Sequence, residues 1–196
     1  MNIAIFASSN GSNAQKIIEY FNNNSFIKIA IVLSNNKNSY VLERAKLLNI
    51  PSFSFAPEDF KNSQIILEKL KEFNIEFIVL AGFTLKLPKI LINSFPDRIV
   101  NIHPALLPKF GGKGMYGKHV HKAVIEAKEK VSGITIHYVN EKYDEGKIIF
   151  QTSCKVEKTD TIVTLAEKIH ELEYRYYPEV IENVISLLEP ENINNI

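Results

Sequence analysis

Asn101-Ile102-His103-Pro104 is the segment of this sequence best equipped for chemistry. In a strand, side chains two apart point to the same face, so Asn101 and His103 would project together. The amide offers N–H donors to a developing negative charge, and the imidazole carries a proton near neutral pH. A histidine at a strand end also serves as an ordinary half-buried residue, and residue type alone leaves both readings open. A second cluster, Tyr143-Asp144-Glu145-Gly146, supplies a carboxylate. Asp144 either bonds nearby backbone N–H groups as a turn former or, if it reaches His103, raises the pKa of that histidine and holds it protonated. The third feature is the turn Ser8-Ser9-Asn10-Gly11-Ser12-Asn13 ahead of a helical pattern. Its N–H groups and the helix dipole favour a phosphate, while Ser12 or Asn13 would equally suit a simple cap. With Gly11 alone it fails the G-x-G-x-x-G spacing of dinucleotide sites, so a monophosphate fits better.

The other polar candidates are weaker. His119-x-His121 falls in a helical stretch, where positions two apart face different ways, so a zinc pair and any metal role are not expected. His137 sits two residues from Thr135 on a strand pattern and reads as partly buried, with Thr135 available to position a substrate. Glu68-Lys69-Leu70-Lys71-Glu72 reads as the solvated face of an amphipathic helix. The single cysteine, Cys154, cannot close an internal bridge and reads as a structural thiol in a reducing compartment.

The elements that must carry these groups follow from short Ile-, Val- and Phe-rich runs alternating with helical spacing, the pattern of a parallel sheet with crossover helices. Strands are expected over 2–7, 27–34, 52–55, 77–81 and 98–102, with helices over 13–21, 40–48, 57–73 and 88–93. Pro104 and Pro108 bracket a loop, and the glycine-rich stretch from Gly111 to Gly117 reads as mobile. A helix over 118–128 then precedes strands over 132–139 and 147–156, whose short connection suits an antiparallel hairpin. Thr159-Asp160 is expected to cap a C-terminal helix interrupted at Pro178. The expected fold is α/β, a single doubly wound, mostly parallel Rossmann-type sheet with an antiparallel C-terminal part. One domain spans 1–190, and 191–196 form a tail.

The 196 residues, 45% apolar and 23% charged, give one ordinary core and exclude disorder and disulfide scaffolds. Twenty-three Lys and Arg against 22 Asp and Glu leave a net charge of +1, without the footprint of a nucleic-acid binder. The longest apolar run, Phe77 to Phe83, is far short of the roughly 20 residues that span a bilayer. The first residues lack both the charged leader and the apolar length of a secretory signal, so a cytoplasmic protein without a membrane segment is expected.

Taken in order, Asn10-Gly11-Ser12-Asn13, Leu80-Ala81-Gly82-Phe83, Asn101-Ile102-His103-Pro104-Ala105-Leu106-Leu107-Pro108, Gly133-Ile134-Thr135-Ile136-His137-Tyr138-Val139, Asp144-x-Gly146 and Ile149-Phe150-Gln151 resemble the glycinamide ribonucleotide transformylases. These are folate-dependent formyltransferases of purine synthesis, and the resemblance covers nearly the whole chain. It implies a catalytic trio of Asn101, His103 and Asp144, with the phosphate of glycinamide ribonucleotide on Gly11, Ser12 and Asn13. The rest of that substrate would lie on His170, Glu171, Leu172 and Glu173. The pocket for 10-formyltetrahydrofolate, the co-substrate, would be lined by Thr84, Leu85, Lys86 and Leu87, by Asn101, and by Asn140, Glu141, Lys142, Tyr143 and Asp144. Lys61 would stand for a basic residue near the folate. The resemblance implies direct formyl transfer between small molecules, with no metal, nucleic acid or membrane. The stretch from Gly111 to Lys118 is longer than in many members, and Glu145 stands where some carry glycine. A formyltetrahydrofolate hydrolase, which shares the constellation, is disfavoured because the first strand already begins at Asn2 where it would carry an extra N-terminal domain, and a methionyl-tRNA formyltransferase because the chain ends soon after its last helix, without a C-terminal RNA-binding domain, and is nearly neutral. A non-enzymatic nucleotide-binding module would leave the trio unexplained.

Overall fold

The apolar runs pair edge to edge into one sheet because each is too short to bury its backbone groups alone. The computed structural model describes residues 1–188. Strands β1 (Asn2–Phe6), β2 (Lys28–Ser34), β3 (Ser52–Ser54), β4 (Phe77–Leu80), β5 (Ile99–His103), β6 (Val131–Tyr138) and β7 (Ile148–Lys155) lie in the order β3-β2-β1-β4-β5-β6-β7. The first five run parallel, while β6 is antiparallel to β5, and β7 to β6. Helices α1 (Ser12–Phe21), α2 (Tyr40–Leu47), α3 (Pro57–Asn62), α4 (Gln64–Glu72), α5 (Lys89–Ser94), α6 (Lys118–Glu126) and α7 (Ile162–Leu188) complete the order.

The two-residue period of the central strands sorts their side chains into two cores. Ile3, Ile5, Val32, Phe77, Val79 and Val100 face α1 and α7. Ala4, Phe6, Ile31, Leu33, Ile78, Leu80 and Ile99 face α4 and α5. No helix among the described residues is long and apolar enough to cross a membrane. Cys154 is half-buried against the first core, and burial raises its thiol pKa.

Three expectations change. The helix expected over 57–73 is divided at Ser63, whose φ of 57° breaks the helical path while its buried hydroxyl donates to Phe60 O at 2.8 Å. The C-terminal helix runs unbroken through Pro178. A proline in a helix interior costs about 3 kcal/mol, and burial of Tyr177, Val180, Ile181, Val184 and Ile185 along the same helix offsets it. Its cap is Thr161 rather than Thr159-Asp160. Thr161 and Thr164 exchange backbone-to-hydroxyl bonds of 2.9 and 3.2 Å, and Asp160 accepts from the Thr164 hydroxyl. The expected tail over 191–196 lies outside the described residues.

The sheet reverses its winding between β1 and β4, so the carboxyl ends of these strands and of β5 open a crevice. Tyr177 braces it from below. Fully buried, its hydroxyl lies 2.9 Å from Leu80 O and 3.3 Å from Val100 O, next to the functional end of β5. Tyr177→Phe removes that donor without opening a cavity, and should lower stability by about 1–3 kcal/mol. The expected reading is a lower urea midpoint at unchanged m; a midpoint equal to wild type would deny the brace.

Candidate active site

Asn101 and His103 occupy alternate positions near the end of β5, and the antiparallel register sets His137 of β6 opposite Asn101 and Thr135 opposite His103. That register explains the local chemistry. His137 Nδ1 lies 2.8 Å from Tyr138 O, an acceptor only, so Nδ1 carries the ring proton. Burial lowers the His137 pKa and keeps the ring neutral, leaving Nε2 a lone pair that accepts from Asn101 Nδ2 at 3.1 Å. The Asn101 amide is thereby oriented, with one N–H bound to His137 and the other available to a ligand.

His103 is 3% exposed; its Nε2 donates to Phe110 O at 2.8 Å. Nδ1 lies 3.6 Å from Asp144 Oδ2. The sequence reading expected this carboxylate to raise the histidine pKa. Burial instead lowers it, and the opposing pull of Asp144 and of the Phe110 carbonyl is the smaller effect. Asp144 itself has a φ of 54° and accepts from Gly112 N at 2.8 Å, with its other oxygen 3.8 Å from His137 Nε2. Gly146 makes this turn possible, since a Cβ there would fall 1.6 Å from Tyr138 O. Thr135 is fully buried. It donates to Ala105 O and accepts from Leu107 N and Gln151 Nε2, so it holds the turn after His103 instead of offering its hydroxyl to a substrate.

A cavity of about 630 Å³ brings together Gly11, Ser12, Asn13, Thr84, Asn101, His103, Tyr143, Asp144, His170 and Glu173 of the expected residues. His170 and Glu173 lie three apart on α7 and share its cavity face; Glu171 is exposed and Leu172 packs into the first core, so neither lines the cavity. Lys61, Lys86, Leu87 and Glu141 line a second cavity of about 360 Å³ with Pro88 and Lys89. Lys86 Nζ stands 5.8 Å over the Tyr143 ring, which makes that contact the seam between the two. Leu85 packs into the second core, while Asn140 and Lys142 bond to Glu145 within their loop.

Residues not singled out for this site also reach it: Arg44, Met115, Tyr116, His121 and Tyr174 line the large cavity. For His121 the signal was present, since two positions apart on a helix send one imidazole inward and the other out. His121 is 3% exposed, and His119 stacks edge-on against the exposed Tyr116. Among the described residues, Asn13 Oδ1 and His121 Nδ1 are buried without a partner, the condition a polar ligand relieves. No cluster of His, Cys, Asp and Glu suited to a metal ion occurs among the described residues.

Residues 1–181 match the family described as formyl transferase. The chain is 40% identical over 185 residues to the chloroplastic phosphoribosylglycinamide formyltransferase of Arabidopsis thaliana, covering 91% of this chain but 63% of that one. It is 36% identical over 189 residues to the phosphoribosylglycinamide formyltransferase of Bacillus subtilis, covering 94% of each. The solved phosphoribosylglycinamide formyltransferase of Bacillus halodurans superposes over 100% of both chains with a TM-score of 0.88 at 35% identity.

The buried carboxyl group in the cavity wall is Glu173, 5% exposed, accepting from Asn13 Nδ2 at 2.9 Å. Burial pushes its pKa up to about 7, against the smaller downward pull of that bond. Between its ordinary 4.5 and about 7 the unfolded chain has released the proton that the folded protein still holds. The stability Glu173 contributes is therefore complete below 4.5 and is lost as pH rises through about 7, by about 3 kcal/mol in all. Glu173→Gln stays neutral, so the stability of wild type relative to this variant should fall by that amount from about pH 4 to pH 8. Parallel curves from urea unfolding across that range would show that Glu173 is not held protonated.

Proposed function

The chain belongs to the formyl transferase family, and we propose that it transfers the formyl group of 10-formyltetrahydrofolate to the amine of glycinamide ribonucleotide, in purine synthesis. The observation that carries this reading is the meeting of an oriented amide, a buried imidazole and a carboxylate, Asn101, His103 and Asp144, in the cavity that begins at the Gly11 turn.

The turn at the start of α1, with no side chain capping it and no acidic residue in its first turn, suits the substrate's phosphate. Asn13 and Glu173 suit its ribose hydroxyls. The second cavity fits the co-substrate's tail, since among the described residues Lys89 alone of Lys61, Lys86 and Lys89 has a carboxylate partner, Glu141 at 2.9 Å. Thr84 and Tyr143 then face the pterin end toward Asn101.

In this arrangement the neutral amine of the ribonucleotide adds to the formyl carbon, and the carbonyl oxygen gains negative charge. The free N–H of Asn101 meets that charge, with His137 preventing the amide from turning its oxygen inward. His103, neutral at rest, gives up the Phe110 carbonyl and passes its ring proton from Nε2 to Nδ1, which faces Asp144, so that Nε2 turns a lone pair to the reacting groups. It takes the proton that the attacking nitrogen must lose and delivers it to N10 of the folate as the carbon–N10 bond breaks. Asp144 faces the imidazolium formed on the way and offsets its charge. Formylglycinamide ribonucleotide and tetrahydrofolate leave with all atoms accounted for. The small-molecule site, the near-neutral charge and the absence of a membrane-crossing helix among the described residues suit a cytoplasmic enzyme without a nucleic-acid partner.

Incubating the protein with 10-formyltetrahydrofolate tests the reading directly: formyl transfer is expected only when glycinamide ribonucleotide is present. Release of formate without acceptor would favour a hydrolase instead. His103→Ala should keep the fold by circular dichroism and lose at least about 100-fold in kcat. Asn101→Ala should lose about 100- to 1,000-fold in kcat; an effect confined to KM would make Asn101 a ground-state contact. His137→Phe, which leaves Asn101 in place but unoriented, is expected to lose roughly ten- to 100-fold in kcat, and a wild-type rate would remove His137 from the mechanism.

A further inference from the structure

Among the described residues that line the large cavity, Arg44 is the only lysine or arginine. Its position follows from α2, which docks on the β1–α1 turn. Val41 N donates to Ser9 O at 3.1 Å, and Val41 packs so closely on Gly11 that a Cβ there would fall 2.2 Å from Val41 Cγ2. One helical turn later Arg44 reaches back over the same loop. Its Nε donates to Asn10 O at 2.9 Å, its Nη2 to Asn10 Oδ1 at 2.8 Å and its Nη1 to Gln15 Oε1. The Tyr40 ring lies 4.8 Å from the guanidinium carbon and covers its face. A guanidinium has five N–H donors, so two are spent on the turn and one on Gln15 of α1, and two remain.

We propose that Arg44 determines the specificity of this site for a phosphorylated substrate. It holds Asn10 and Gly11 in the shape that presents the first N–H groups of α1, and it supplies the one full positive charge at that end of the cavity. The inference rests on the reading of the turn as the phosphate seat. The backbone side of that seat is set by Gly11, whose φ of 75° aims the start of α1 at the cavity. The acidic side chains facing the cavity, Glu173 and Asp144, lie on other elements. A phosphate dianion placed among them needs a cation that cannot be neutralised by pH, and arginine alone among the lining side chains meets that requirement. Its role is positional as well as electrostatic: the fork onto Asn10 fixes the loop before a ligand arrives, which lowers the ordering cost of binding.

The test compares wild type, Arg44→Gln and Arg44→Lys by calorimetric titration with ribose 5-phosphate and with ribose, and by turnover of glycinamide ribonucleotide and of its dephosphorylated riboside. Arg44→Gln should weaken ribose 5-phosphate binding by at least about tenfold and raise the KM of the ribonucleotide to match, with kcat within a factor of about three. Its kcat/KM for the riboside and its affinity for the folate should stay at wild-type values. Arg44→Lys keeps the charge and loses the fork, so it should fall between the two. Equal losses for phosphorylated and dephosphorylated ligands would mean a structural role only and would overturn the proposal, as would Arg44→Gln binding ribose 5-phosphate like wild type. Arg44→Lys indistinguishable from wild type would overturn the positional half. If Arg44-dependent binding of ribose 5-phosphate is found while no formyl transfer occurs, the proposal stands and the functional reading above falls.

Discussion

Removing charge from water is expensive, and that desolvation governs how the polar groups at the end of this sheet are arranged. His103, His121 and His137 are each 3% exposed or less, and burial is the largest influence on all three, lowering every one of their pKa values, that of His121 to about 4. The same penalty raises Glu173. Near neutral pH the buried wall is therefore built of uncharged imidazoles and a carboxyl group that is half protonated at about 7. The resting site is poised to receive charge from its substrates without carrying much of its own. In the proposed transfer, a proton added to His103 is unfavourable in that environment until the facing Asp144 and the new negative charge on substrate oxygen offset it. The imidazolium is then stable only while the reacting groups are in place, a form of preorganisation that binds the transition state better than the ground state.

Low dielectric also makes each orienting bond consequential, because a misdirected dipole is not rescued by solvent. The chain from Tyr138 O through the His137 ring to the Asn101 amide has only one self-consistent proton arrangement, since its terminal member can only accept. A backbone carbonyl thus dictates which way the Asn101 amide points. The antiparallel turn of β6 against β5 is what makes this possible: a parallel neighbour would offset His137 from Asn101 instead of setting it directly opposite. On the other flank, the positive φ of Asp144 and the close approach at Gly146 hold the carboxylate between two imidazoles.

The sequence made legible whatever depends on local periodicity. Asn101 and His103 share a face because strands alternate, and the Gly11 turn is visible because small residues precede a helical pattern. Contacts across long separations were not legible from spacing. Glu173 meets Asn13 across 160 positions and His137 meets Asn101 across 36, and both were placed near function only by the family resemblance or left as core. Arg44 looked like any basic residue in the last turn of a short amphipathic helix; only the docking of α2 on the turn turns it inward. The continuous helix through Pro178 was hidden for a related reason, because the local penalty is readable and the burial that outweighs it belongs to tertiary packing.

The two cavities give this arrangement a direction. On the proposed function, a substrate anchored by a phosphate at the Gly11 turn and one anchored by carboxylates near Lys61, Lys86 and Lys89 would enter from opposite ends. Their reactive ends would then meet where the two lining sets converge, at the seam of Lys86 over Tyr143 and next to Asp144. Each anchor is an anion held far from the bond being made, so its binding energy can be spent on bringing an amine and a formyl carbon together. Attraction between the reactive groups themselves is not required. That division accounts for the unequal charge of the molecule's interior. Cations stand at the outer limits of the site, neutral imidazoles line its middle, and Asp144 is the carboxylate set against the imidazole that changes its charge in the proposed transfer.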